Sequence, residues 1–229
     1  MNRKKKILII DTETAGSLIY PIAYDIGGAV VDRDGKIYHE FHFVIDEIFT
    51  DLETMATAYY SRKFKKYIKS IYEQNIKPVP FLEVLRKLDA LIEFWDIKTV
   101  AAYNLAFDKR AMKNTCELIT SNTNWLGIHE LEELCIMCAA CDILYTATYV
   151  KLARERGWVT EKGNIRTNAE CGYRFVSGNY DFIEEHMGLP DVKIEAEILT
   201  AIFRKRQKFN GAIRGFPFSQ VYAREKVRK

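Results

Sequence analysis

Lys6-Ile7-Leu8-Ile9-Ile10-Asp11-Thr12-Glu13-Thr14 is the stretch that decides how this chain is read. An unbroken aliphatic run between a lysine and an acid reads as a short strand buried on both faces, over residues 6–11. Side chains two apart on a strand point the same way, so Asp11 and Glu13 set two carboxylates on one face at the edge of an apolar sheet. Like charges that close repel unless a cation lies between them. Oxygen-only donors suit a hard cation such as Mg²⁺ or Mn²⁺. Asp-x-Glu alone is also a common acidic turn after a strand, so its meaning depends on what accompanies it.

Outward from that strand, residues 23–32 carry a second apolar run, Asp32-Arg33-Asp34-Gly35 is a turn signal, and residues 36–45 resume as a third strand. The opening is therefore an antiparallel meander. Residues 52–75 read as one helix rich in Tyr and Lys, punctuated afterwards by Pro78 and Pro80. Residues 81–95 place Leu82, Leu85, Leu88 and Ile92 at helical spacing. A fourth strand is expected at 99–103 and a helix at 109–119. Residues 131–156 read as mostly helical, 158–166 as a small hairpin, and Thr167 as the cap of a helix through residue 175. Pro190 stands at an expected first helical position, and the helix it opens runs through Glu195 to about residue 209. Strands first, then alternating helices and strands, give an α/β fold. It is a mixed sheet, an antiparallel opening meander plus parallel strands, flanked by helices. We read residues 1–209 as one domain, with 158–176 as a candidate insertion. Residues 210–229 form a basic C-terminal tail that Phe216, Phe218 and Tyr222 could pack down.

The chain has 229 residues, 48% hydrophobic and 28% charged, enough for a sizeable core without disulfides or a structural metal. A net charge of +3 does not by itself identify a nucleic-acid binder. The clusters Arg3 to Lys6, Arg204-Lys205-Arg206 and Arg224 to Lys229 are local patches able to hold phosphates, or solvated ends. The N-terminus lacks the apolar length of a secretory signal, and no apolar run approaches a membrane span. The five cysteines are then read as reduced thiols, and the expected location is cytoplasmic, with no membrane partner.

Two further signals accompany Asp-x-Glu. Asp108, in Asn104-Leu105-Ala106-Phe107-Asp108, follows a short strand and opens a helix, where ligands gather in open sheets. His186-x₄-Asp191 sets a histidine just before a helix and an acid near its first turn, and histidine is the side chain best able to take a proton near neutral pH. Taken singly, each reads as a cap or a surface residue. Together, four carboxylates and one histidine are what two-metal phosphodiester hydrolysis needs.

In these motifs the chain resembles the DEDDh 3′–5′ exonucleases. They are the DnaQ-like superfamily that includes the proofreading subunit of DNA polymerase III and ribonuclease T. Asp11-Thr12-Glu13-Thr14-Ala15-Gly16 is close to the family's Asp-x-Glu-Thr-Thr-Gly. Asp25-Ile26-Gly27 stands where the family tends to have an acid-Ile-Gly. Asn104-x-x-Phe107-Asp108 matches the second motif and His186-x₄-Asp191 the third. The resemblance spans residues 6–205. It departs at Ala15, at Gly188 where the family has Ala, and at Pro190 and Val192 around the last acid.

The resemblance implies a ribonuclease H-like fold and two Mg²⁺ or Mn²⁺ ions. Asp11 would bridge both, Glu13 and Asp191 would hold the nucleophile-side ion, and Asp108 the second. His186 would be the general base, while the backbone around Thr12 to Thr14 and the Asn104 side chain would touch the terminal nucleotide. The expected substrate is a single-stranded or frayed 3′ end, DNA ahead of RNA, since a terminal base must be held off its stack. The products would be nucleoside monophosphates. An RNA-trimming enzyme of the same family and a catalytically silent nucleic-acid-binding module are the alternatives, and a homodimer or a polymerase partner is compatible.

Other signals are read as structural. Cys135-x₂-Cys138-x₂-Cys141 has helical spacing but no separated second pair, so we read core thiols rather than zinc. His39, His42 and His129 have no matching partners in sequence, and we place His39 and His42 on the surface or at an interface. Phe107 is read as core. The Tyr-rich stretch from Tyr59 to Tyr72 is read first as an amphipathic helix and second as a gripping surface for single strands.

Overall fold

Hydrophobic parity sorts the chain onto two sides of one sheet. The computed structural model describes residues 5–58, 64–73, 76–127 and 129–219. β1 (Ile7–Gly16), β2 (Pro21–Val31) and β3 (Ile37–Ile45) form the expected meander. β4 (Pro78–Val79) joins β3 in parallel at one edge, and β5 (Thr99–Ala102) and β6 (Glu132–Cys135) extend β1 in parallel at the other. The order is β4-β3-β2-β1-β5-β6, and β2 alone runs against the rest. Leu8, Ile10, Val30 and Val100 face one core, under α4 (Phe81–Trp95) and α5 (Leu105–Thr120). Ile7, Ile9, Ala29 and Ala101 face the other, under α6 (Ile136–Ile143), α7 (Ala147–Glu155), α8 (Ala169–Ser177) and α9 (Gly188–Lys205). The α/β fold read from the sequence, a mixed sheet flanked by helices, is the fold observed.

Several boundaries differ from expectation for physical reasons. β1 continues to Gly16 rather than ending at Asp11, because β2 pairs with it throughout. Residues 52–75 are not one helix. α1 (Asp46–Phe49) follows β3 directly, α2 (Leu52–Ala56) is capped by Asp51, and α3 (Phe64–Tyr72) buries Tyr67. Tyr59 and Tyr60 lie outside the described residues. Pro78, expected only as punctuation, opens an edge strand, where its missing N–H costs nothing. Residues 131–156 begin with a strand, since pairing with β5 overrides the local helical pattern. The rest breaks into α6 and α7, bent by 99° around buried Tyr145. No single helix among the described residues is long and apolar enough to cross a membrane.

The turn at Asp32 forms as read, its carboxylate accepting from the backbone N–H of Asp34 and Lys36 and from the Tyr38 hydroxyl. Val159 and Ile165 bridge in the small hairpin. Residues 210–219 lie against the β6–α6 corner: the Cys135 N–H donates to Gly211 O at 2.7 Å and Arg214 reaches Cys138 O and Asp142.

One contact sets how α9 meets the sheet. Gly27 on β2 lies against Gly188, the first residue of α9, and a methyl group built on Gly27 would stand 1.9 Å from the Gly188 carbonyl carbon. Only two glycines permit this approach. Gly27→Ala should therefore destabilise the protein by about 1–3 kcal/mol or more by overpacking against backbone. Gly215→Ala, with nothing within 4 Å, should stay within about 0.5 kcal/mol of the parent. Equal denaturant midpoints for both variants would contradict this.

Candidate active site

β1 and β5 run side by side only as far as Ile9 and Ala101. Beyond that point β5 turns into α5, while β1 continues with β2 as its remaining partner. The crevice left where one parallel strand leaves another is where α/β sheets bind ligands. Asp11 is two residues past the split. Its parity, shared by Glu13, is that of Ile7 and Ile9, so both carboxylates belong to the face covered by α9. Thr12 turns to the opposite face, where its N–H and Oγ1 donate to Asp108 Oδ1 at 3.1 and 2.9 Å. Asp108 sits in the first turn of α5, where the helix dipole favours an acid. Asn104 precedes that helix and makes no side-chain capping bond to it.

The third group arrives with α9. The Gly188 N–H donates to Asp25 Oδ2 at 3.1 Å, and Asp25 is fully buried. Asp25 also accepts from the Tyr67 hydroxyl and lies 2.7 Å from His42 Nε2, so β2, β3, α3 and the start of α9 meet at one carboxylate. His186, two residues before α9, has φ +51°, a left-handed backbone that costs a non-glycine residue about 1 kcal/mol. Its Nδ1 lies 3.7 Å from Glu184 Oε2. Asp191 is buried in the first turn of α9.

Asp11, Thr12, Glu13, Thr14, Asn104, Asp108, His186 and Asp191 all line one cleft of about 400 Å³. Ligand atoms of Glu13, His186 and Asp191 lie within 4.8 Å of one another. Burial, and then the negative charge of Glu195, Asp108, Glu13 and Asp191, holds the Asp11 carboxyl well above the usual carboxylate range. Burial pushes Asp108 up to about 7 against the opposing hydrogen bonds from Thr12. Acids that raise one another's proton affinity in this way are poised to take up positive charge of another kind. The clustered carboxylate oxygens are donors that could hold a hard divalent cation.

Sequence reading missed part of the lining. Glu195 stands one turn after Asp191 on α9, is 2% exposed, and accepts from the Tyr103 N–H at 3.1 Å. The i, i+4 spacing within the expected helix was the available signal. Glu184, Leu18 and Met137 also line the cleft, as do Asn168 and Ala169 from the segment read as an insertion. Phe107 is not core: it is half-buried in the cleft wall, under the Arg110 guanidinium. His42 is not a surface residue, since it pairs with buried Asp25, and His129 pairs with Asp89. Cys135, Cys138 and Cys141 are buried, and the thiols of Cys135 and Cys138 donate to backbone carbonyls.

No protein-family model matches the chain, and no curated protein matches it in sequence. Solved structures do match. The apo form of exonuclease I superposes with a TM-score of 0.55 at 13% identity, over 89% of this chain and 43% of that one. Exonuclease I of E. coli with a dT13 oligonucleotide gives 0.54 at 10% identity, over 89% and 42%. The ExoI/SSB-Ct complex gives 0.54 at 10% identity over the same shares. The chain thus spans less than half the length of these proteins and is similar to them in fold.

Proposed function

We propose that the chain is a metal-dependent 3′–5′ exonuclease acting on single-stranded or frayed 3′ ends, DNA ahead of RNA, and releasing nucleoside monophosphates. The observation that carries this reading is the meeting of Asp11, Glu13, Asp108 and Asp191 with His186 in one cleft. Strand, first helix turn and second helix start supply these groups from far apart in sequence, and Glu13, Asp108 and Asp191 are buried, as chance surface acids are not. The fold shared with exonuclease I supports the same reading.

Two Mg²⁺ or Mn²⁺ ions held there would supply Lewis acidity to the scissile phosphate and to the attacking water. Asp11, Glu13 and Asp191 would hold the ion on the water side, and Asp11 and Asp108 the other. His186 takes the proton from the water, and Glu184 beside its Nδ1 steadies the imidazolium that results. Thr12 fixes Asp108 through two hydrogen bonds. The backbone from Thr12 to Thr14 and the Asn104 amide border the place of the terminal nucleotide and would orient it.

Labelled single-stranded DNA, RNA and mismatched duplex, given with Mg²⁺ or Mn²⁺, should shorten stepwise from the 3′ end, and EDTA should stop the reaction. Asp11→Ala should lower kcat by at least about 10²–10³-fold, and His186→Ala by about 10²–10⁴-fold. Internal cuts would contradict the reading. Binding without turnover, with every metal, would make the chain a silent nucleic-acid-binding module instead.

A second expectation concerns pH. In EDTA, folded Asp108 holds its proton up to about pH 7, whereas its ordinary value is 3.8. The folded state therefore binds more protons than the unfolded chain between those values, and Asp108 lowers stability as pH rises through that window. The melting temperature in EDTA should fall more steeply over that range for the parent than for Asp108→Asn, and saturating Mg²⁺ should flatten the difference. Identical slopes for the two proteins in EDTA would count against this account of the cleft.

A further inference from the structure

Glu195 is a carboxylate whose position works against the fold unless something offsets its charge. It lies on α9 one helical turn beyond Asp191, so the two side chains leave the same face of the helix. It is 2% exposed and lines the same cleft as Asp11, Glu13, Asp108 and Asp191. The hydrogen bond that its Oε2 accepts from the Tyr103 N–H at 3.1 Å needs only a carbonyl-type oxygen, which a glutamine offers equally. The negative charge is thus not required for that bond, and confined among other acids it is costly. What a carboxylate supplies here and an amide does not is attraction for a cation.

We propose that Glu195 is a fifth cation-facing carboxylate of the cleft, adding its charge to Asp11, Asp108 and Asp191 and raising the affinity of the site for divalent ions. The inference rests on the proposed two-cation reading and extends it to a residue outside the motifs that led there. With five acids around the ions, the loaded site carries surplus negative charge, so tight ion binding is maintained where four acids would hold the ions more loosely.

The test is Mn²⁺ binding to the full chain, followed by electron paramagnetic resonance and by thermal melting, for the parent and Glu195→Gln. The amide keeps the Tyr103 bond and removes only the charge. In EDTA, Glu195→Gln should melt no lower than the parent, because the amide keeps the Tyr103 bond. Its Mn²⁺ affinity should fall by about 10-fold or more, and the rise in melting temperature produced by Mn²⁺ should shrink. Unchanged Mn²⁺ affinity in Glu195→Gln, with the parent binding Mn²⁺, would overturn this inference and leave the proposed function standing. No Mn²⁺ bound by the parent would remove the two-cation reading and this inference with it. Should Glu195→Gln fail to fold, Glu195→Asp carries the same comparison, since it withdraws the charge by one methylene: weakened binding supports the proposal and equal binding overturns it.

Discussion

The backbone contact between Gly27 and Gly188 is the constraint on which the site depends. It brings the N-terminus of α9 onto β2 at a distance no side chain would permit. Asp25, two residues before Gly27, holds the Gly188 N–H from within the core. Because both anchors lie at the start of α9, His186, Asp191 and Glu195 are carried to the face of β1 that presents Asp11 and Glu13. The glycine at 188, which departs from the alanine of the resembling family, thus has a local reason in the packing.

Electrostatics supplies the second half of the account. The cleft gathers acids from a strand and two helices into a space where burial raises the proton affinity of Asp11, Asp108 and Glu195, and repulsion from neighbouring acids adds to it for Asp11 and Glu195. Such an arrangement costs stability, and acids perturbed in this way gather at functional sites. Thr12 offsets part of that cost by donating twice to Asp108, and the Tyr103 N–H does the same for Glu195. Local destabilisation and readiness for cations are then two aspects of one geometry.

Much of this was legible in the chain. Alternation along residues 6–14 predicts that Asp11 and Glu13 share a face, and they do line one cleft. The meander, the mixed sheet and the positions of Asp108 and Asp191 in first turns follow from local pattern. Glu195 was less visible because an acid inside an amphipathic helix ordinarily faces water; only the docking of α9 shows that this one faces inward. The strand at β6 and the break at Tyr145 depend on partners distant in sequence, as do the pairing of His42 with Asp25 and the exposure of Phe107 to the cleft. Such long-range pairings leave no periodic mark in the residues themselves.

Whether the cleft holds a pair of cations is decided by the anomalous scattering of Mn²⁺ in crystals of the parent protein. Two peaks, about 3.5–4 Å apart and enclosed by Asp11, Glu13, Asp108 and Asp191, are expected. Peaks confined to the surface, or a cleft without density at saturating Mn²⁺, would contradict the two-cation reading.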